Sequence, residues 1–356
     1  MNFFEKESLT AIQAKERAQW ITFAPFVFQA TRVLRNTGIL KIVEAHKQGV
    51  SLEELAREAK LSLYGVRVLV EAGLGIGLLT CKEGLYKITK TSYFILHDEL
   101  TVANMDFTQD VCYQGLLALE ESITEGKPVG LKVFGEWKTI YEALSTDLPE
   151  KVKKSWFTFD HFYSDYAFPE VLPLVYQHHP KTLLDIGGNT GKWSLQSLSY
   201  DPDVKITVMD LAPYADEVND QLLDKGFGQR ISFHPINILD ESKKFPTGFD
   251  AIWMSQFLDC FSEAQIVSIL KRCKVALNLN GQIFILETFW DRQRFEASAF
   301  SLQQTSLYFT TMANGNSQMY DSRVFIRCLT EAGIEVVEQT DFIGVSHTLL
   351  RCKPIQ

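Results

Sequence analysis

Several things are scarce in this 356-residue chain, and each scarcity excludes something. There are six cysteines (Cys81, Cys112, Cys260, Cys273, Cys328 and Cys352), and no two fall in a CxxC pair. A zinc ribbon and a thioredoxin-type redox site are therefore excluded, and the expectation is free thiols in a reducing cytoplasm. With 11 prolines and 21 glycines the chain is neither collagen-like nor a Pro-rich linker. No apolar run approaches the roughly 18–20 residues of a membrane span, and acidic residues in MNFFEKESLT break the apolar stretch a secretion signal needs. Net positive charge is also missing. The formal charge is −9, which argues against bulk affinity for nucleic acid or an anionic membrane.

What is present is an ordinary globular composition, 46% hydrophobic and 22% charged, at a length that suggests two domains. Phenylalanine (25) and tyrosine (12) are plentiful enough to build an apolar pocket. Residues 1–105 are expected to form a first domain. Residues 10–48 read as helical with a break at Pro25. Ser51 and Glu54 then make a capping box, with Leu52, Leu55, Ala56 and Ala59 on one helical face. A second helix starts after Ser62, and LLTCKEGLYKITK reads as a small hairpin turning at Lys82-Glu83-Gly84. Helix, turn, helix and hairpin is the plan of a winged helix. Its second helix, SLYGVRVLVEAG, offers only Arg67 to a phosphate backbone. A dimer-forming role is thus favoured over DNA binding. Gly73, Gly75 and Gly77 follow a helix instead of a strand, so they read as helix termination and close packing, not as a dinucleotide loop.

Residues 106–356 are expected to form a helical connector and then an α/β core beginning near residue 180. SWFTFDHFYSDYAF and VFGEWKTIYEAL are aromatic-rich connectors, either packing or pocket wall. From Lys181 strands and helices alternate: 182–187, 204–210, 231–236, 249–255 and 281–288, with two tightly joined strands at the end. The alternation predicts a doubly wound, mostly parallel seven-stranded sheet with an antiparallel pair at one edge. Ligands in such sheets sit at the carboxyl ends of the strands. There the chain places Asp185, Gly187, Gly188 and Gly191, and then Asp210 at the end of the next strand. An acid at that second position accepts hydrogen bonds from ribose hydroxyls. The loop reads G-G-N-x-G, and Asp185 would repel a pyrophosphate. The pattern therefore favours S-adenosylmethionine over a nicotinamide dinucleotide.

LLDIGGNTGKWS, VMDL and FDAIWMSQFLDCFSEAQIVSILKRCKVALNLNGQIFILE together resemble the S-adenosylmethionine-dependent small-molecule O-methyltransferases that carry an N-terminal winged-helix dimerisation domain. The resemblance covers most of the chain. It implies that Asp185, Gly187, Gly188 and Gly191 line the methionine end of the donor. Asp210 would hold the ribose, with Leu211, Asn237 and Ile238 around the adenine. Ser255 and Gln256 would lie near the donor, the alternative for Ser255 being a strand-end turn. It also implies a homodimer through the first domain and a small aromatic or polyketide-like acceptor. No metal site is expected.

One departure matters. The family's base is a histidine in a run like S-H-x-L-H-D-W, and here that run is Ser255-Gln256-Phe257-Leu258-Asp259-Cys260-Phe261, with Asp259 at the base position. Gln318 stands where the family has a supporting glutamate, and Glu287 is the acid the resemblance places near the acceptor. An ordinary Asp (pKa about 3.9) is about six units too acidic to deprotonate a phenol (about 10). Asp259 is then a raised-pKa base, or the acceptor is already nucleophilic, or the site does no methyl transfer. His161 could border the pocket or merely pack, and His347 is expected far from the site. The readings from other classes are a donor-binding regulator and an NAD-dependent enzyme.

Overall fold

The structure is a computed structural model that describes residues 3–144, 146–215, 218 and 226–355. Phe4–Thr108 form one compact unit and Gln109–Gln356 the larger one.

The smaller unit opens with helix α1 (Ala11–Asn36), capped by Thr10 and Gln13. It continues through Pro25, where the sequence predicts a break. Residues 12–26 are exposed, so the Ile21 carbonyl that loses its partner to Pro25 is not trapped in a core. Helices α2 (Ile39–Ala45), α3 (Leu52–Ala59) and α4 (Leu63–Ile76) follow, then strands β1 (Leu79–Lys82) and β2 (Leu85–Ile88). Ser51 and Glu54 form the reciprocal capping box. Leu34, Leu40, Leu55, Val66 and Val70 make a core with no exposure. Gly73 permits close packing there, because a Cβ would lie 3.1 Å from Leu79 and 3.2 Å from Leu34. Gly77 ends α4 at φ +84°, in the left-handed region where glycine costs least. Helices α5 (Lys90–His97) and α6 (Glu99–Phe107) complete the unit.

The larger unit begins with short helices α7 (Leu119–Glu125) and α8 (Ile140–Leu144). Then come α9 (Glu150–Asp165) and α10 (Phe168–Tyr176). Its sheet has seven strands: β3 (Thr182–Ile186), β4 (Lys205–Asp210), β5 (Ile231–Pro235), β6 (Phe249–Ser255), β7 (Leu277–Glu287), β8 (Ile334–Ile343) and β9 (His347–Pro354). Their order is β5-β4-β3-β6-β7-β9-β8. All neighbours through β7 are parallel, and the β7–β9 and β9–β8 pairs are antiparallel. Helices α11 (Lys192–Tyr200), α12 (Glu263–Ala276), α13 (Glu296–Tyr308) and α14 (Ser322–Glu331) supply further cover.

The period-two alternation of the buried strands feeds two cores. On one side Trp193 stacks on Trp253 at 3.8 Å with an interplanar angle of 12°, beside Phe168, Val208 and Leu286. On the other, Ile252, Met254 and Ile285 pack with Ile266 and Leu270 of α12 and Phe325 of α14. Chain order reverses between β4 and β6 on either side of β3, so a crevice opens at the carboxyl end of β3. Among the described residues no helix is long and apolar enough to cross a membrane.

Candidate active site

The loop leaving β3 is shaped by what its glycines leave out. Gly187 sits at φ +74°, and a Cβ there would lie 2.2 Å from the Phe257 ring. A Cβ on Gly188 would lie 2.6 Å from Val208. Gly191 begins α11. The loop is tied to β4: Gly187 N–H donates to the Met209 carbonyl at 2.9 Å. Asp210 accepts from Asn189 N–H at 2.9 Å and from Leu211 N–H at 2.7 Å. Burial raises the Asp210 carboxyl against the pull of these two donors. Asp210 thus joins the two strand ends where a ribose-bearing ligand lies in such folds.

The other positions that the resemblance assigns to the donor are Asp185, Asn237, Ile238 and Ser255. Asp185 lies beneath the glycine loop, 2% exposed, accepting the Ser194 hydroxyl at 2.6 Å. Burial pushes its carboxyl up to about 7, so it ties β3 to α11 more as a hydrogen-bond partner than as a charge. Asn237 is exposed and its Oδ1 accepts from Leu239 N–H at 3.0 Å, while Ile238 is buried beside it. The Ser255 hydroxyl, at the end of β6, is buried without a hydrogen-bond partner.

Beyond Ser255 the backbone turns sharply. Gln256 adopts φ +47°, and a short 3-10 turn, Leu258–Cys260, carries Asp259. Glu287, ending β7, holds that turn: its Oε1 accepts from Phe257 N–H at 3.0 Å and Leu258 N–H at 2.8 Å. Asp259 and Glu287 are 5% and 1% exposed, and Glu287 Oε2 has no partner. Burial pushes Asp259 up to about 7. Burial, and then the neighbouring Asp259 carboxylate, drive Glu287 well above the carboxylate range. Of this pair Glu287 keeps its proton and Asp259 is the group that opens near neutrality. The Cys260 thiol donates to Asp259 Oδ1 at 3.5 Å, and burial keeps that thiol protonated. Gln318 is exposed, so it does not support the base position; Asn314 reaches in instead, donating to the Cys260 carbonyl at 2.6 Å.

Three groups here were not singled out from the sequence. Trp156 and Asp160 lie one turn apart on α9, and the Trp156 indole donates to the Tyr308 hydroxyl at 2.7 Å. Asp160 receives long hydrogen bonds from Gln256 Nε2 (3.4 Å) and Asn189 Nδ2 (3.5 Å). Burial, then repulsion from Asp259, pushes its carboxyl up to about 7. His347, expected far away, lies with Nε2 2.6 Å from Gln256 Oε1. Burial lowers the His347 pKa to about 3, so the neutral ring donates through Nε2 and turns the Gln256 amide towards Asp160. His161 packs its ring on Phe157 at 5.6 Å.

This fold and this glycine loop define a class I methyltransferase. Residues 117–335 match the model of the O-methyltransferase domain, and residues 15–86 match a Dimerisation2-like domain. The chain belongs to the O-methyltransferase domain family and is an S-adenosylmethionine-dependent methyltransferase. It is 22% identical to the L-tyrosine C(3)-methyltransferase of Streptomyces lavendulae over 335 residues, 92% of this chain and 90% of that one. In fold it is similar to the S-adenosylmethionine-dependent methyltransferase SibL, with a TM-score of 0.71 and 20% identity over 95% of this chain and 98% of that one. It is also similar to the O-methyltransferase NcsB1, solved with S-adenosylmethionine and 2-hydroxy-5-methyl naphthoic acid. That likeness has a TM-score of 0.67 and 18% identity, covering 92% and 96% of the two chains. The Cβ-free cradle at Gly187 and Gly188, with Asp210 at its rim, fits such a donor.

Proposed function

We propose that this chain methylates a small hydroxylated aromatic molecule with Asp259 as the general base. The observation that carries this reading is the burial of Asp259 against Glu287 at the carboxyl end of β6, which lifts its carboxyl to about 7. The mismatch with a phenol near 10 then falls from about six units to about three, within the working range of a positioned base. Gly187, Gly188 and Gly191 admit the methionine end of the donor, with Asp185 bracing the loop from below. Asp210 takes the ribose, and Leu211, Asn237, Ile238 and Ser255 border the rest. Bound S-adenosylmethionine supplies an electrophilic methyl group on a sulfonium. Glu287 orients the turn that carries Asp259, and the Trp156–Tyr308 pair walls the acceptor.

A ring-carbon acceptor is the second reading. It is favoured by the relative that spans 92% of the chain, which by its name methylates carbon 3 of tyrosine. Deprotonating a phenol serves both readings, because phenolate charge is shared by the oxygen and the ortho carbons.

The test is calorimetry with S-adenosylmethionine, S-adenosylhomocysteine and NADH, followed by a screen of phenols with methyl-labelled donor. NMR of the product then gives the methylated atom. Donor binding abolished by Asp210→Ala, with turnover of a phenol, supports the reading. Folded protein that binds NADH and neither adenosyl ligand overturns it. Exposed Ile12, Trp20, Ile21, Phe23 and Phe26 on α1 support a homodimer through the first unit, tested by sedimentation of the intact chain. Cytoplasmic residence and a lack of nucleic-acid partners belong to the same proposal.

A further inference from the structure

Three carboxyls face the acceptor side: Asp160, Asp259 and Glu287. Among the described residues no lysine, arginine or histidine hydrogen-bonds to any of them. Asp259 is met by the Cys260 thiol and by backbone N–H groups of its own turn, Glu287 by the backbone amides of Phe257, Leu258 and Asp259, and Asp160 by the side-chain amides of Gln256 and Asn189. Lys192, the cation that acts on Asp160, is bonded elsewhere, to Asp165 at 2.8 Å. Glu287, 1% exposed, leaves Oε2 without a partner beside Asp259. Asp259 and Glu287 are buried, and Asp160 is partly buried. Carboxyls drawn out of water without a bonded cation are costly, and in a folded protein they are paired, protonated or matched by a ligand.

We infer that the acceptor carries a protonated amine as well as its hydroxyl, and that Asp160 is the counter-ion that binds it. This rests on the methyl-transfer reading above. Asp160 stands one helical turn from Trp156, on the aromatic acceptor wall, and faces Asp259. Its carboxyl is aimed by a relay: buried His347 fixes Gln256, and Gln256 donates to Asp160.

Charge balance points to the acceptor as the source of the cation. The donor brings one net positive charge, a sulfonium and an ammonium against a carboxylate. When Asp259 has taken the phenolic proton, the acceptor side holds a phenolate and the Asp160 carboxylate, two negative charges facing the donor's one, while Asp210 lies at the ribose end. An ammonium on the acceptor closes the balance. A neutral phenol would leave Asp160 either protonated or repelling the phenolate, raising the phenol's pKa just where it must fall.

The test uses the intact chain saturated with S-adenosylhomocysteine and calorimetry with three matched pairs. These are tyramine against 4-ethylphenol, dopamine against 4-ethylcatechol, and L-tyrosine against 3-(4-hydroxyphenyl)propionate. The amine is expected to bind at least tenfold tighter in one or more pairs. Asp160→Asn, which keeps shape and removes charge, is expected to bring that ratio to about one with S-adenosylhomocysteine affinity unchanged. That retained affinity reports an intact fold. No amine preference in any pair, absence of binding included, overturns the inference, as does a preference that survives Asp160→Asn. A variant that loses S-adenosylhomocysteine affinity with the ratio unchanged assigns the cation to the donor and also overturns it. Wild-type protein that binds no S-adenosylhomocysteine overturns the methyl-transfer reading itself, a distinguishable failure.

Discussion

Replacing Asp259 by Asn removes the group on which the proposed acceptor activation rests while keeping its shape and its place on the Leu258–Cys260 turn. With the base at about 7 and a phenol at about 10, proton transfer is uphill by about three units, or about 4 kcal/mol. With an ordinary carboxyl the deficit would be about six units, or about 8 kcal/mol. Burial of Asp259 therefore contributes about 4 kcal/mol to the feasibility of the step, and a positioned base is worth roughly 10²–10⁴ in rate. In wild type kcat/KM should rise with pH and level off above about 7, because the useful form of Asp259 is the carboxylate. In Asp259→Asn the rate at pH 8 should fall by roughly 10²–10⁴. Its remaining activity should climb with pH without a plateau near 7, following ionisation of the acceptor itself. The assay is initial-rate transfer from methyl-labelled donor to the best phenol of the screen, from pH 5.5 to 9.5, with S-adenosylhomocysteine affinity as the control for folding. A variant with wild-type rate and an unchanged acid limb would refute the argument and remove Asp259 from the catalytic machinery.

Other outcomes are expected elsewhere. Asp210→Ala should weaken S-adenosylhomocysteine by at least tenfold in calorimetry, since it deprives Asn189 and Leu211 N–H of their acceptor as well as the ribose of its partner. Asp185→Asn should flatten the dependence of stability on pH. Its folded pKa is raised to about 7, so its contribution is whole below about 4 and lost as pH rises through about 7. Chemical denaturation at pH 4.5 and 7.5 should then differ less in the variant, and an unchanged difference would contradict the assignment. Gly187→Ala, which drives a Cβ to 2.2 Å from Phe257 at φ +74°, should lower stability by roughly 1–3 kcal/mol in a urea titration. Ser51→Ala should cost about 1 kcal/mol through the lost cap of α3, with donor affinity unchanged.

Much of the scaffold is legible in local patterns, because the interactions that make it are local. Ser51 and Glu54 satisfy each other's backbone within one turn, and the central strands β3 and β6 are mostly apolar because both faces of a parallel sheet are buried there. The glycine loop is legible for the same reason, since its glycines answer a steric demand within a few residues. The acceptor side is different. Asp160 lies 96 positions from Gln256, in an aromatic segment that reads equally as packing or pocket wall. His347 lies 91 positions from the same residue. Only the closing of the sheet brings them together. Pro25 shows the opposite failure: a strong local rule yields where the helix turn it weakens is exposed.

The strand order also governs how the chain can be assembled as it is made. Once β3 is made, strands β4 to β7 can each join a neighbour already present, but β8 emerges before β9 and touches the sheet only through it. Until residues 347–354 arrive, β7 presents an unpaired edge, and β8 has no place to dock. The hairpin must dock as one piece, and the same event delivers His347 to Gln256. A chain without that strand therefore has an open β7 edge and a complete glycine loop, but lacks the His347 contact that turns Gln256 towards Asp160.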